Sequence, residues 1–267
     1  MGGKMKKFTI CGIQIETGDD CRKNLEKSFS LCRSACIQHP DFIVLPEMFE
    51  IVPKPHRAAG YSHLIPSEIT ETLAGIAKEH SVNIIGGSFL ENEGTRVYNT
   101  CCVFNRKGQL CGKYRKMHLF DAFGYNESTS ISKGNRPLLC ELDGLKFGVA
   151  ICYDIRFPEL FRHYALSGAH IVFVPSAFFQ PNHDHWVLSI RSRALDNTIF
   201  VIGCNQTGKP FVGRSMVADP WGISASSMGV EEGIFTSLID LDIIGKTREK
   251  LPLLANRRYD VSIRDSV

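Results

Sequence analysis

Short apolar runs alternate with amphipathic stretches from residue 8 to residue 241 with no linker between them, and that alternation restricts the fold more than any other feature of the chain. Residues 8–14, 42–45, 82–90, 97–104, 145–151, 170–174 and 198–204 read as strands, and 211–241 as a final β region. Helices are expected over 20–38, with Leu25, Phe29, Cys32 and Cys36 as its apolar positions, over a segment capped by Ser67 and ending near His80, over 158–168, and around Trp186. Asn105-Arg106-Lys107-Gly108 has the composition of a hairpin turn. Strands that alternate with helices in this way imply a layered α/β fold, with buried strands and helices outside.

Composition removes several classes of function. The chain has 267 residues, 43% of them hydrophobic, enough to bury a large core as one extended domain or two smaller ones. With 31 basic and 28 acidic residues the charge is nearly balanced, and no basic run interleaves with aromatics, so no nucleic-acid partner is expected. Every apolar run falls far short of the ~18 residues that a membrane span requires. The basic start is followed too soon by Glu16, Asp19 and Asp20 for a signal peptide, and Lys6 stands where myristoylation requires Ser or Thr, so a cytoplasmic protein without a membrane anchor is expected. The ten cysteines sit largely in apolar segments without C-x-x-C spacing. Neither a disulfide scaffold nor a metal site is expected, His118, His183 and His185 notwithstanding.

Chemistry concentrates in three segments. In Gly148-Val149-Ala150-Ile151-Cys152-Tyr153-Asp154-Ile155-Arg156-Phe157-Pro158-Glu159, an apolar strand delivers one thiol to a polar turn, and Pro158 opens the next helix. Taken alone this suits a buried inert cysteine as well as a nucleophile. Leu45-Pro46-Glu47-Met48 ends a short strand in a carboxylate, and Tyr114-Arg115-Lys116-Met117-His118-Leu119-Phe120-Asp121 sets a lysine among aromatics.

In this order the three motifs resemble the carbon–nitrogen hydrolase (nitrilase) superfamily, over about residues 8–259. The resemblance implies that Glu47, Lys116 and Cys152 form the catalytic set, with Glu127 in Gly124-Tyr125-Asn126-Glu127-Ser128 as a second glutamate that orients the reacting groups. It implies one catalytic domain over 1–267 built as a four-layer α-β-β-α sandwich, without a cofactor. It further implies a homodimer or larger homo-oligomer, joined through the helices that follow Cys152 and surround Trp186, with the tail from about residue 251 reaching across. Tyr153-Asp154 after the cysteine, where nitrile-specific members carry Trp-Glu, is similar to the omega-amidase and deaminated-glutathione amidase branches. So are Val174-Pro175-Ser176-Ala177-Phe178 and Arg191-Ser192-Arg193-Ala194-Leu195-Asp196-Asn197.

The chemistry of an amide explains why these residue types belong together. Its carbonyl is a poor electrophile, so a thiol must lose its proton and the growing oxyanion must be held. Lys116 is expected to favour the Cys152 thiolate and, with the Tyr153 N–H, to bind the oxyanion. Glu47 is expected to move protons and to activate the water that cleaves the acyl-thioester. Phe120, Tyr125, Phe178 and Phe179 are candidates for the substrate wall, with Ala177 beside them.

A substrate carboxylate would call for a cation, and the loop 178–184 offers none; Lys209 and Arg214 are candidates without a place, and Arg193 is expected to form a structural ion pair. A small linear primary amide is the expected substrate. An N-carbamoyl amine, a nitrile or acyl transfer are the alternatives within the enzyme class, and a non-catalytic small-molecule binding protein or a thiol-redox protein outside it.

Overall fold

A computed structural model of the protein describes residues 7–262. The basic start at 1–6 and the last five tail positions, 263–267, lie outside the described residues. In chain order the first elements are β1 (Lys7–Gln14), α1 (Cys21–Cys36), β2 (Phe42–Val44), α2 (Glu68–Glu79), β3 (Asn83–Ile85), β4 (Phe89–Glu93), β5 (Arg96–Phe104) and β6 (Leu110–Arg115). A small hairpin, β7 (Asp121–Ala122) and β8 (Tyr125–Asn126), leads into β9 (Leu138–Leu142), β10 (Leu145–Val149), α3 (Pro158–Leu166), β11 (Ile171–Ser176), α4 (His183–Asn197) and β12 (Phe200–Asn205). The chain continues through β13 (Met216–Ala218), β14 (Ser224–Ser227), β15 (Gly233–Asp240) and α5 (Asp242–Lys250).

Two sheets result. The first runs β15-β1-β2-β3-β5-β4 with β6 added to β5, and the second runs β14-β13-β12-β11-β10-β9. Each has a parallel centre, β1-β2-β3 in the first and β10-β11-β12 in the second, flanked by antiparallel pairs. Side-chain alternation sorts the central strands into layers. Phe42 and Val44 face the second sheet, where the Phe42 ring lies 5.8 Å from Phe147 and 5.9 Å from Phe173, while Ile43 and Leu45 join the cluster beneath α1 and α2. Each of these buried rings contributes about 1.5–3 kcal/mol relative to exposure. The helices α3 and α4 cover the other face of the second sheet, completing the four layers expected.

Close contact on that face needs a missing side chain. A Cβ on Gly203 would lie 2.5 Å from the Trp186 ring, so β12 admits α4 at this distance only with glycine. Tyr164 anchors α3 by donating its hydroxyl to the Val149 carbonyl at 2.6 Å and accepting from the Leu138 N–H at 3.2 Å.

Three local expectations are corrected. The single strand over 82–90 is two strands, β3 and β4, broken at Gly86-Gly87. Gly87 has φ +54°, and a Cβ there would meet the Pro46 carbonyl oxygen at 2.2 Å, so the break lets the chain pass against the segment that carries Glu47. Helix α1 buries Asn24 and Ser28 along with Cys32 and Cys36, while Leu25 and Phe29 are only partly covered. The polar pair has work there, since Asn24 donates to the Glu50 carbonyl at 2.7 Å and Ser28 to that of Phe49 at 3.4 Å, bracing the loop after Glu47. Arg193 forms no carboxylate ion pair among the described residues; its Nε donates to the Ile155 carbonyl at 2.8 Å, tying α4 to the turn after Cys152.

Candidate active site

The site lies where strand ends of the two sheets meet. Glu47 follows β2, Lys116 follows β6, Cys152 stands three residues after β10, and Ala177 follows β11. The carboxyl ends of parallel strands are where open α/β sheets place their ligands. Glu127 arrives on the short 3₁₀ turn Glu127–Thr129 after the β8 hairpin strand. All four of the expected set are buried, and the structure brings them together.

Lys116 is the hub. Its ammonium is 2.9 Å from Glu47 Oε1 and 2.9 Å from Glu127 Oε2. The Asn99 Nδ2 donates to Oε1 of both carboxylates, at 2.8 Å to Glu47 and 3.3 Å to Glu127. The Ala177 N–H donates to Glu47 Oε2 at 2.8 Å and the Phe120 N–H to Glu127 Oε2 at 2.7 Å. Thus every carboxylate oxygen of the pair has a donor, as buried anions require. The Glu47 backbone is fixed from the second sheet, because the Gln206 Nε2 donates to the carbonyls of Glu47 and Met48 at 2.8 and 2.9 Å.

Cys152 has φ +46°, a left-handed conformation that costs a non-glycine residue energy and recurs where a nucleophile is turned out of a strand. It opens the 3₁₀ turn Cys152–Arg156. Asp154 in that turn is fully buried and joins it to the lysine segment. It accepts from the Ile151 N–H at 2.8 Å, the Tyr114 hydroxyl at 2.7 Å and the His118 N–H at 2.9 Å, with the His118 Nδ1 2.7 Å away.

Burial and two neighbouring charges act on the Cys152 thiol in opposite directions. Burial pushes the thiol well above its ordinary value, the Glu47 carboxylate beside it adds to the rise, and the opposing pull of Lys116 does not cancel them. The ammonium is already shared between two carboxylates. Burial by itself would disfavour the Lys116 charge, yet Glu127 and Glu47 outweigh it and hold the ammonium well above its ordinary value. Burial, reinforced by the same two carboxylates, pushes the Tyr125 phenol up to about 12.

A cavity of about 40 Å³ opens onto this cluster. Phe120, Tyr125, Tyr153, Ala177, Phe178 and Phe179 line it, as does Arg156. Lys209 and Arg214 do not; both are exposed elsewhere. Among the described residues no group of three or more His, Cys, Asp or Glu side chains is placed to hold a metal ion.

Comparison with known proteins is decisive for the family. A carbon–nitrogen hydrolase profile matches residues 8–249. The chain belongs to the carbon–nitrogen hydrolase family. It is 35% identical to the mouse omega-amidase NIT2, with 96% of this chain and 97% of the mouse protein covered, and 34% identical to the human omega-amidase NIT2 over the same shares. The crystal structure of Saccharomyces cerevisiae Nit3, a member of branch 10 of the nitrilase superfamily, superposes with a TM-score of 0.88 at 31% identity, covering 95% of this chain and 97% of that one. This carbon–nitrogen hydrolase therefore shares both sequence and architecture with the superfamily along nearly its whole length.

Four residues of the site were not singled out from the sequence. Asn99 was legible as a polar residue on the strand face that also carries Cys101 and Val103. Asp154 and Arg156 sat inside the cysteine motif without a spacing rule to mark them, and Gln206 gave no signal at all.

The thiol's state is open to a direct check. Alkylation of Cys152 by iodoacetamide should be slow at pH 7 and accelerate as pH rises, with the exposed Cys111 modified first. Glu47→Gln removes the neighbouring negative charge and should shift the rise for Cys152 to lower pH. Peptide mass mapping across a pH series reads both effects; fast, pH-independent labelling of Cys152 would show a resting thiolate.

Proposed function

We propose that this carbon–nitrogen hydrolase is an amidase that converts a small linear primary amide bearing a free carboxylate into the acid and ammonia, through an acyl-thioester on Cys152. The observation that carries the reading is the Lys116 ammonium held between two buried carboxylates beside a buried thiol. The substrate carbonyl carbon sits against Cys152 Sγ, and its oxygen accepts from the Lys116 ammonium and the Tyr153 N–H. Glu47 takes the thiol proton as Cys152 attacks. The C–N bond then breaks as Glu47 returns that proton to the departing nitrogen, which leaves as ammonia. Water, deprotonated by Glu47, attacks the thioester, and collapse releases the acid and restores the thiol. Each well-placed oxyanion donor contributes about 3–4 kcal/mol to such a step. Glu127 and the Phe120 N–H keep the lysine aimed at the carbonyl oxygen.

Arg156 supplies the cation for the free carboxylate. Its guanidinium lies 5.1 Å from the Phe178 ring and 3.4 Å from His185 Nδ1, and its buried Nε has no partner. A guanidinium on the cavity wall with an unpaired N–H matches a carboxylate better than a neutral chain end. The likeness to omega-amidases of mouse and human points the same way.

The single catalytic domain over residues 1–267 acts as a homodimer. Leu188 and Leu195 on the outer side of α4, with Trp221 and Ile223, form an exposed apolar patch suited to a second copy. The tail from about residue 251 extends across that partner. All ten cysteines are free, which suits the reducing cytoplasm. Light scattering should give twice the chain mass, and a monomer at micromolar concentration contradicts the dimer.

Ammonia release tests the activity. Four- and five-carbon dicarboxylic monoamides should be turned over, a simple aliphatic amide poorly, and Cys152→Ala should be inactive on all of them. Arg156→Met should raise KM for the monoamides roughly 10- to 100-fold and leave the aliphatic amide unchanged. Turnover by Cys152→Ala overturns the nucleophile, while carbon dioxide from a carbamoyl amine or turnover confined to a nitrile replaces the substrate class.

A further inference from the structure

We infer that Asn99 is a positioning residue whose amide bridges Glu47 and Glu127 beside Lys116 and so shapes the enzyme's dependence on pH. The inference rests on the reading of Glu47 as the base. Asn99 lies on β5, fully buried, on the face that carries Cys101 and Val103 toward the second sheet. The β5–β6 ladder sets Thr100 opposite Arg115, and the Lys116 N–H donates to the Asn99 carbonyl at 2.9 Å, so Asn99 and Lys116 are neighbours across one register position. Their side chains therefore emerge together, and both reach the same two carboxylates.

The amide's orientation follows from its surroundings. Turned over, it would aim an acceptor at two carboxylates, so the NH₂ faces them. The opposite end of the amide shows what this arrangement gives up: the buried Asn99 Oδ1 has no hydrogen-bond partner. A residue kept only for packing would be apolar at this position, as its neighbours on the face are. Asn99 instead leaves one acceptor unpaired to place a neutral donor between two anions.

The charge balance gives that donor its role. Glu47 comes from the end of β2, Glu127 from the turn after β8, Lys116 from the end of β6, Cys152 from beyond β10 and Tyr125 from β8. One ammonium faces two carboxylates, while burial pushes the thiol and the phenol above their ordinary values. Asn99 is the uncharged donor that touches both carboxylates, so it lowers their repulsion without introducing a further group that titrates.

The test is the pH profile of kcat/KM for the wild type, Asn99→Ala and Asn99→Asp, with folding checked by circular dichroism. Without the donor, Asn99→Ala should move the acid limb up by about one to two pH units, the free-energy equivalent of one charge-assisted hydrogen bond. Asn99→Asp can donate only while protonated, and once ionised adds a third anion. Its activity should be confined to low pH, with the alkaline limb moved down. Opposite displacements of the two limbs are not expected from loss of packing alone. Should Asn99→Ala not fold, Asn99→Ser, which retains one donor, should show a smaller upward shift. Wild-type limbs in Asn99→Ala or Asn99→Ser, or identical profiles for Ala and Asp, overturn the inference. Glu47→Gln serves as control: retained activity there removes Glu47 as the base, a failure distinct from that of Asn99.

Discussion

The contact on which the rest of the site depends is the buried ammonium of Lys116 between Glu47 and Glu127, 2.9 Å from each. A buried charge is tolerated only when it is paired and hydrogen-bonded, and removing one partner of such a pair typically costs about 3–5 kcal/mol. Here three charges from three separate chain segments satisfy one another, so none is stable in place without the others. This mutual dependence accounts for the supporting bonds around the trio. Ala177, Phe120 and Asn99 donate to the carboxylates, Gln206 holds the Glu47 backbone, and Asp154 ties the lysine segment to the cysteine turn. It also bears on the thiol, because an ammonium shared between two carboxylates only partly offsets what burial and Glu47 do to Cys152.

The two-sheet architecture supplies those segments because it stacks the ends of β2 and β11 against each other. The aromatic contacts of Phe42 with Phe147 and Phe173 set the spacing between sheets, and the hydrogen bonds of Gln206 cross that gap at its rim. Tight seating of α4 on Gly203 and the Arg193 bond to the Ile155 carbonyl then press the cysteine turn from outside. The largely exposed hairpin of β7 and β8 carries Tyr125, a further part of the cavity wall.

Much of this was legible in the sequence, unevenly. The strand–thiol–turn–helix pattern around Cys152 followed from apolar periodicity and Pro158, and the layered class followed from the alternation of elements. The identity of Glu47 and Lys116 as its companions did not, since residues 69 positions apart carry no local sign of contact; family resemblance supplied it. The break at Gly86-Gly87 was hidden because its cause is the distant Pro46 carbonyl. The apolar positions of α1 were legible, but the buried Asn24 and Ser28 beside them were not, because what they face is a backbone loop and not a core. Arg156 stood in plain view, but its place on the cavity wall with an unpaired Nε is visible only in three dimensions.

The most direct measurement of the central claim is rapid-quench intact mass spectrometry of the enzyme mixed with a turned-over amide. A covalent acyl group retained on the protein within a turnover, mapped to the peptide that contains Cys152 and released by hydroxylamine as a thioester would be, is the predicted result. Full turnover with no acyl adduct under any quench condition, or an adduct on another residue, would contradict it.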